Sequence, residues 1–99
     1  MQLWWLYVVR SADGSLYTGI STDPTQRLQK HESGKGARAL RGRGPLELVA
    51  QCQVGDRGAA SRAEYAFKQL TKADKETTLA GGNKALLAFA KRYVDDPSD

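Results

Sequence analysis

The chain has 99 residues, 40% hydrophobic and 26% charged, which leaves room for one hydrophobic core and excludes a disordered polyelectrolyte. Fifteen Lys and Arg against eleven Asp and Glu give a net charge of +4, a mild lean towards polyanions. No apolar run approaches the roughly 18 residues of a membrane span, the opening MQLWWLYVVR lacks the basic segment of a secretory signal, and a single cysteine, Cys52, excludes an intrachain disulfide and fits a reducing cytoplasm.

Trp4 to Arg10 is rich in β-branched and aromatic residues and reads as a strand. Ala12-Asp13-Gly14 signals a turn, and Leu16 to Ser21 the returning strand of a hairpin. Asp23 directly before Pro24 is an N-cap followed by proline at the first helical position, so a helix of about ten residues follows and ends near Gly34. The glycine-studded stretch from Gly34 to Pro45 reads as loop, and the alternation in Leu46 to Val54 as a third strand. From Arg57 to Leu70 helical spacing returns, with Ala60, Ala63, Phe67 and Leu70 on one stripe. Thr71 caps a further short helix, and Gly81-Gly82 separates it from a last helix, Asn83 to Tyr93. The order β-β-α-β-α-α predicts an α+β domain over residues 1–94, a three-stranded antiparallel sheet flanked by helices, with a flexible tail at 95–99.

The hairpin admits two registers. A two-residue Asp-Gly turn pairs Tyr7 with Ile20 and sends Tyr7 and Tyr17 to opposite faces; a three-residue loop with Gly14 left-handed pairs Tyr7 with Gly19 and Val9 with Tyr17, so that both tyrosines share a face. On the first helix a step of about 100° per residue puts Arg27 and His31 on one stripe flanking Leu28, the large apolar residue that marks the core side. Glu64 falls at the edge of the apolar stripe of the second helix, where an acid calls for a partner: a salt bridge, a hydrogen-bond network or a metal. Taken singly, these residues have blander readings, an Arg27–Glu64 structural ion pair and a scaffold histidine.

Lys35, Arg38, Arg41 and Arg43 stand in GKGARALRGRG, a segment without a single acid. Glycines there let a backbone approach phosphates, and the cations supply counter-charge without a code for bases. The competing reading is a solvated loop. Trp4 and Trp5 are expected on opposite sheet faces, Cys52 in the core, and Asn83 as the cap of the last helix.

Tyr7 in Trp5-Leu6-Tyr7, ten residues before Tyr17-Thr18-Gly19, followed by DPTQRLQKH, resembles the GIY-YIG nuclease domain, with Trp5-Leu6 in place of Gly-Ile and Thr18 in place of isoleucine. Tyr7, Tyr17 and Gly19 match its two motifs, Arg27 its helix arginine, His31 the polar residue one turn later, and Glu64 in SRAEYAFKQL its acidic metal ligand. The stretches YTG, HESGKGARALRGRGPLELV and RAEYAFKQL are similar to the small stand-alone YhbQ-like bacterial members, and the chain also resembles the nuclease domain of Slx-type enzymes. The resemblance implies a metal-dependent endonuclease acting on DNA, directed by structure more than sequence and serving repair or processing. Branched, flapped or damaged DNA would be the partner, and a homodimer or a protein partner would add to weak binding. In that reading Glu64 holds one Mg²⁺ or Mn²⁺, Arg27 clamps a phosphate, Tyr7 activates water, Tyr17 orients it and His31 relays the proton. Activating Tyr7 requires Arg27, His31 or the metal to favour its ionised or hydrogen-bonded form. A non-catalytic nucleic-acid-binding module that keeps the fold is the alternative.

Overall fold

The computed structural model describes residues 2–34, 36, 42 and 44–94. Lys35, Arg38, Arg41, Arg43 and the tail at 95–99 lie outside the described residues. Strands β1 (Trp4–Arg10), β2 (Leu16–Ser21) and β3 (Glu47–Gly55) form one antiparallel sheet in the order β2-β1-β3. Helix α1 (Pro24–Glu32) lies between β2 and β3 in the chain; α2 (Arg57–Lys68), α3 (Lys72–Ala80), α4 (Gly82–Ala90) and a closing 3₁₀ turn at Lys91–Tyr93 follow β3. This is the α+β class expected from the sequence, with three helices after β3, one more than the order β-β-α-β-α-α counts. The second helix stops two residues before Leu70, and the last helix tightens to 3₁₀ at Lys91, whereas the sequence predicts an unbroken run from Asn83 to Tyr93.

Helix starts follow local chemistry. Asp23 accepts from the Gln26 N–H at 3.1 Å with Pro24 opening α1, Asp56 accepts from Ala59 N–H at 2.8 Å, and Thr71 from Asp74 N–H at 3.1 Å. Asn83 does not cap α4, which has no side-chain cap; its Oδ1 accepts from the Gln51 N–H at 2.9 Å. The reason is position: Gln51 is on β3, an outer strand, so its outward N–H needs an acceptor, and the first turn of α4 supplies one.

The hairpin takes the three-residue loop. Ser11 N–H donates to Ser15 C=O at 2.9 Å, Gly14 N–H to Ser11 C=O at 2.9 Å, and Gly14 sits at φ +87°. Tyr7 therefore faces Gly19, and Val9 faces Tyr17. Against β3 the ladder slips between Val8 and Val9: Val8 pairs with Ala50 but Val9 with Leu48. The extra residue, Val49, reverses which side the following residues face. Ala50, Cys52 and Val54 thus join Leu6 and Val8 under α2 and α4, while Leu46 and Leu48 join Tyr7, Val9, Tyr17 and Leu28 on the other face. Strict alternation through Leu46 to Val54 does not hold. Trp4 packs against the first cluster and Cys52 lies within it.

Candidate active site

The second, smaller cluster is where the polar residues gather. Tyr7 and His31 are 1% and 2% exposed. Tyr7 Oη lies 3.0 Å from His31 Nε2. Tyr17 completes a group of three rings, its centroid 6.4 Å from Tyr7 and 5.4 Å, edge-on, from His31. The sheet register accounts for the tyrosines, since only the longer turn puts both on the face covered by α1. The helical period accounts for His31, which points inwards from the last turn of α1 beside half-buried Leu28 and Arg27.

Gly19 is needed for closeness rather than for backbone freedom. A Cβ there would stand 2.5 Å from Tyr7 Oη and 2.6 Å from Cζ. The Tyr7 ring lies directly over that missing side chain. Gly36 plays the same part behind His31: a Cβ at that position would collide with Nδ1 and stand 2.9 Å from the His31 Cα. Sequence reading missed Gly36 as a positioning residue. Its only signal was a glycine five residues after the histidine, inside a segment read as generic loop.

Electrostatics set the protonation states. Burial pushes the Tyr7 phenol up to about 12, with Tyr17 adding to the rise and Glu64 contributing a little; Arg27 pulls the other way, by hydrogen bonding and by charge, and loses. Of the two forms expected for Tyr7, ionised or hydrogen-bonded, the second is found, with His31 as partner, while desolvation outweighs Arg27 and disfavours the first. His31 is held below the ordinary histidine value, first by burial and then by the Arg27 charge. A protonated phenol beside a neutral imidazole makes Nε2 the acceptor of the Tyr7 hydroxyl in the tautomer that carries its proton on Nδ1.

Glu64 is half-buried on α2, and its carboxylate pairs with Lys68 one turn on at 3.4 Å. The Arg27–Glu64 ion pair is absent among the described residues. No three His, Cys, Asp or Glu gather into a metal site among them either. A single carboxylate with its remaining coordination open does not suit zinc, but it fits a hard, hydrated divalent cation completed by water and a substrate phosphate. Lys35, Arg38, Arg41 and Arg43, the expected phosphate contacts, lie outside the described residues. No helix among the described residues is long and apolar enough to cross a membrane.

The profile of the GIY-YIG catalytic domain matches residues 3–77. A UPF0213 protein of Aeromonas hydrophila is 62% identical over 76 residues, which span 77% of this chain and 56% of that protein. The chain thus covers little more than half of that relative. The UPF0213 protein YhbQ of Escherichia coli is 58% identical over 82 residues, 83% of this chain and 82% of YhbQ. A UPF0213 protein of Bacillus halodurans, solved by NMR in solution, superposes with a TM-score of 0.54 at 41% identity, covering 85% of this chain and 92% of that one. With the catalytic domain matched over residues 3–77 and YhbQ-like proteins similar over most of the chain, the chain belongs to the GIY-YIG nuclease family, among its small YhbQ-like members.

Proposed function

We propose that the protein is a metal-dependent endonuclease that hydrolyses phosphodiester bonds in DNA. The observation that supports this best is the buried Tyr7–His31 hydrogen bond, whose phenol feels the charges of both Arg27 and Glu64. A phenol held near 12 is no free base at neutral pH. It serves instead as a relay: the attacking water passes a proton to Tyr7 Oη as Tyr7 passes its own to His31 Nε2. The water oxygen forms the new bond to phosphorus, and the bond to the leaving oxygen breaks. Arg27 grips a non-bridging phosphate oxygen with its planar fork, and Tyr17, beside both rings, orients the water or the phosphate. Glu64 would hold Mg²⁺ or Mn²⁺, which supplies charge neutralisation at the phosphate and at the leaving oxygen.

Affinity from Lys35, Arg38, Arg41 and Arg43 carries no base code, so DNA form rather than sequence directs cleavage; flapped, branched or damaged DNA in repair or processing is the substrate class this favours. A second copy or a protein partner would add the contact area that one small domain lacks. The buried Cys52 thiol, raised to about 11 by desolvation, suits the reducing cytoplasm as place of action.

The test is cleavage by purified protein with Mg²⁺ or Mn²⁺ on single-stranded, duplex, flapped and branched DNA, with RNA as control. Metal-dependent cutting that is lost in Tyr7→Phe and His31→Ala is expected. Binding without cutting on every DNA form would replace the enzyme with the non-catalytic binding module.

A further inference from the structure

At the junction of α1 and β2, and sharing Arg27 with Tyr7, lies a cavity of about 280 Å³ whose walls include Trp4, Ser21, Thr22, Gln26, Arg27 and Lys30. Among the described residues no carboxylate lines it. Arg27 and Lys30 are three residues apart, on neighbouring positions of one helix face. Among the described residues neither takes part in an ion pair. Two uncompensated cations against one cavity, in a domain that already carries +4, call for an anion. The Ser21 Oγ accepts from the Asp23 N–H at 2.9 Å, which leaves its own O–H to donate. Asp23, the nearest acid in sequence, is turned to the Gln26 N–H at 3.1 Å as the helix cap. A third cation, Arg57, lies 5.2 Å over the ring of Trp4, one of the cavity's walls. Cations, hydroxyl donors and an indole edge make up the chemistry that receives one nucleotide: an anionic phosphate with a flat base attached.

We infer that this cavity is the subsite for the nucleotide adjoining the scissile phosphate, with Arg27 shared between the two. Arg27 acts on Tyr7 on one side and lines the cavity on the other, so a phosphate held at the reaction centre has its neighbour in the cavity. The strand then runs along the exposed side of α1 from Arg27 towards Lys30. The one base-reading group in the cavity is the Gln26 amide, and the groups around it are cations and hydroxyls, so base identity has little weight in what it binds.

This inference rests on the nuclease reading, and the experiment separates the two. Thymidine dinucleotide bearing a 5′-phosphate is titrated, without metal, into ¹⁵N-labelled protein, with inorganic phosphate as control. The two indole N–H signals, assigned with Trp4→Phe, report separately on Trp4 and Trp5. A saturable shift of Trp4 and of the Ser21 and Thr22 amides is expected, with Trp5 unmoved and inorganic phosphate much weaker. Lys30→Gln, a change on the exposed face of α1, should weaken dinucleotide binding several-fold and raise KM for DNA more than it lowers kcat. A Trp4 signal that stays still under dinucleotide, together with a Lys30→Gln protein whose KM equals the wild type, would overturn the subsite even if the enzyme cuts. Saturable shifts in a protein that cuts no DNA would uphold the cavity as a nucleotide site and remove the nuclease reading instead.

Discussion

Gly19→Ala measures how tightly the site is built. The new Cβ would stand 2.5 Å from Tyr7 Oη, 2.6 Å from Cζ and 3.0 Å from Cε2, whereas non-bonded carbons settle at about 3.5–4.0 Å. The ring must therefore retreat by roughly 1 Å. It is 1% exposed and tied to His31 at 3.0 Å, so retreat both overpacks the cluster and breaks the hydrogen bond. Overpacking of this kind costs about 1–3 kcal/mol. An opposing gain exists, since replacing glycine by alanine in extended backbone stabilises by about 0.4–1 kcal/mol through the unfolded chain. The steric effect is larger, so the net change is destabilising, and displacement of a relay group by about 1 Å lowers turnover by about 100-fold. Urea unfolding and cleavage rate on the same preparation give both numbers. A Tyr7→Leu background removes the three atoms that collide while keeping most of the volume; there, Gly19→Ala should turn neutral or stabilising. Equal destabilisation in both backgrounds would refute the close approach of Tyr7 to Gly19 as its cause.

Arg27→Lys keeps the charge but loses the fork, so it should restore little of the activity removed by Arg27→Ala, as read by kcat at saturating DNA. Neutralising Arg38, Arg41 and Arg43 together should weaken DNA binding uniformly and lower the log–log salt slope by about 0.7–0.9 for each phosphate no longer neutralised, measured by fluorescence anisotropy. His31 is the only histidine, and its ring signals should titrate below the ordinary value of about 6.5; because the unfolded chain binds that proton first, stability is full above about pH 6.5 and declines as pH falls below it, with cleavage declining in parallel. The same titration with uncleavable phosphorothioate DNA bound should move upwards. Glu76, bonded twice to Arg10 at 2.8 Å, is held at about 2, so the stability it lends is present above about pH 4.5 and drains away as pH falls towards 2. Glu76→Gln should flatten the melting temperature across that window and leave metal-free DNA binding unchanged.

Local chemistry is legible in the sequence where one residue decides one feature. Asp23-Pro24 and Thr71 fix helix starts whatever surrounds them, and Leu28 reports the buried side of α1 with Arg27 and His31 beside it. Non-local features are not legible in this way. The hairpin register rests on whether Gly14 takes a left-handed conformation, and an Ala-Asp-Gly string permits either turn. The slip at Val49 lets Leu48 bury on one face while Val49 and Ala50 both pack on the other, a balance that no window along β3 displays. Asn83 reads as a cap because a side-chain amide next to Gly-Gly is cap chemistry; the demand it meets, an edge N–H thirty-two residues away, exists only once the strand order is known. The protonation of Tyr7 escapes the sequence for a similar reason: charged neighbours can be read off a chain, and the depth of burial that outweighs them cannot.

In the proposed relay, the protonation pattern would also keep the site unreactive without substrate. Tyr7 is neutral and high, His31 neutral and low, so the pair has a proton to give and a place to put it, but little drive to move it. Part of that restraint is the Arg27 charge, which opposes a second cation on His31. A phosphate that pairs with Arg27 compensates this charge, and the opposition to an imidazolium weakens at the moment a proton must be taken up. Burial, the larger restraint on His31, is unaffected by that pairing, so the acceptor strengthens without becoming charged in advance. In that proposed mechanism, the negative charge growing on the phosphate during attack would face two cations, Arg27 and a newly protonated His31, where the resting site offers one. In the proposed mechanism Arg27 would thus link phosphate binding, made by its fork, to proton acceptance, made easier by its charge, from the single turn of α1 that separates it from His31.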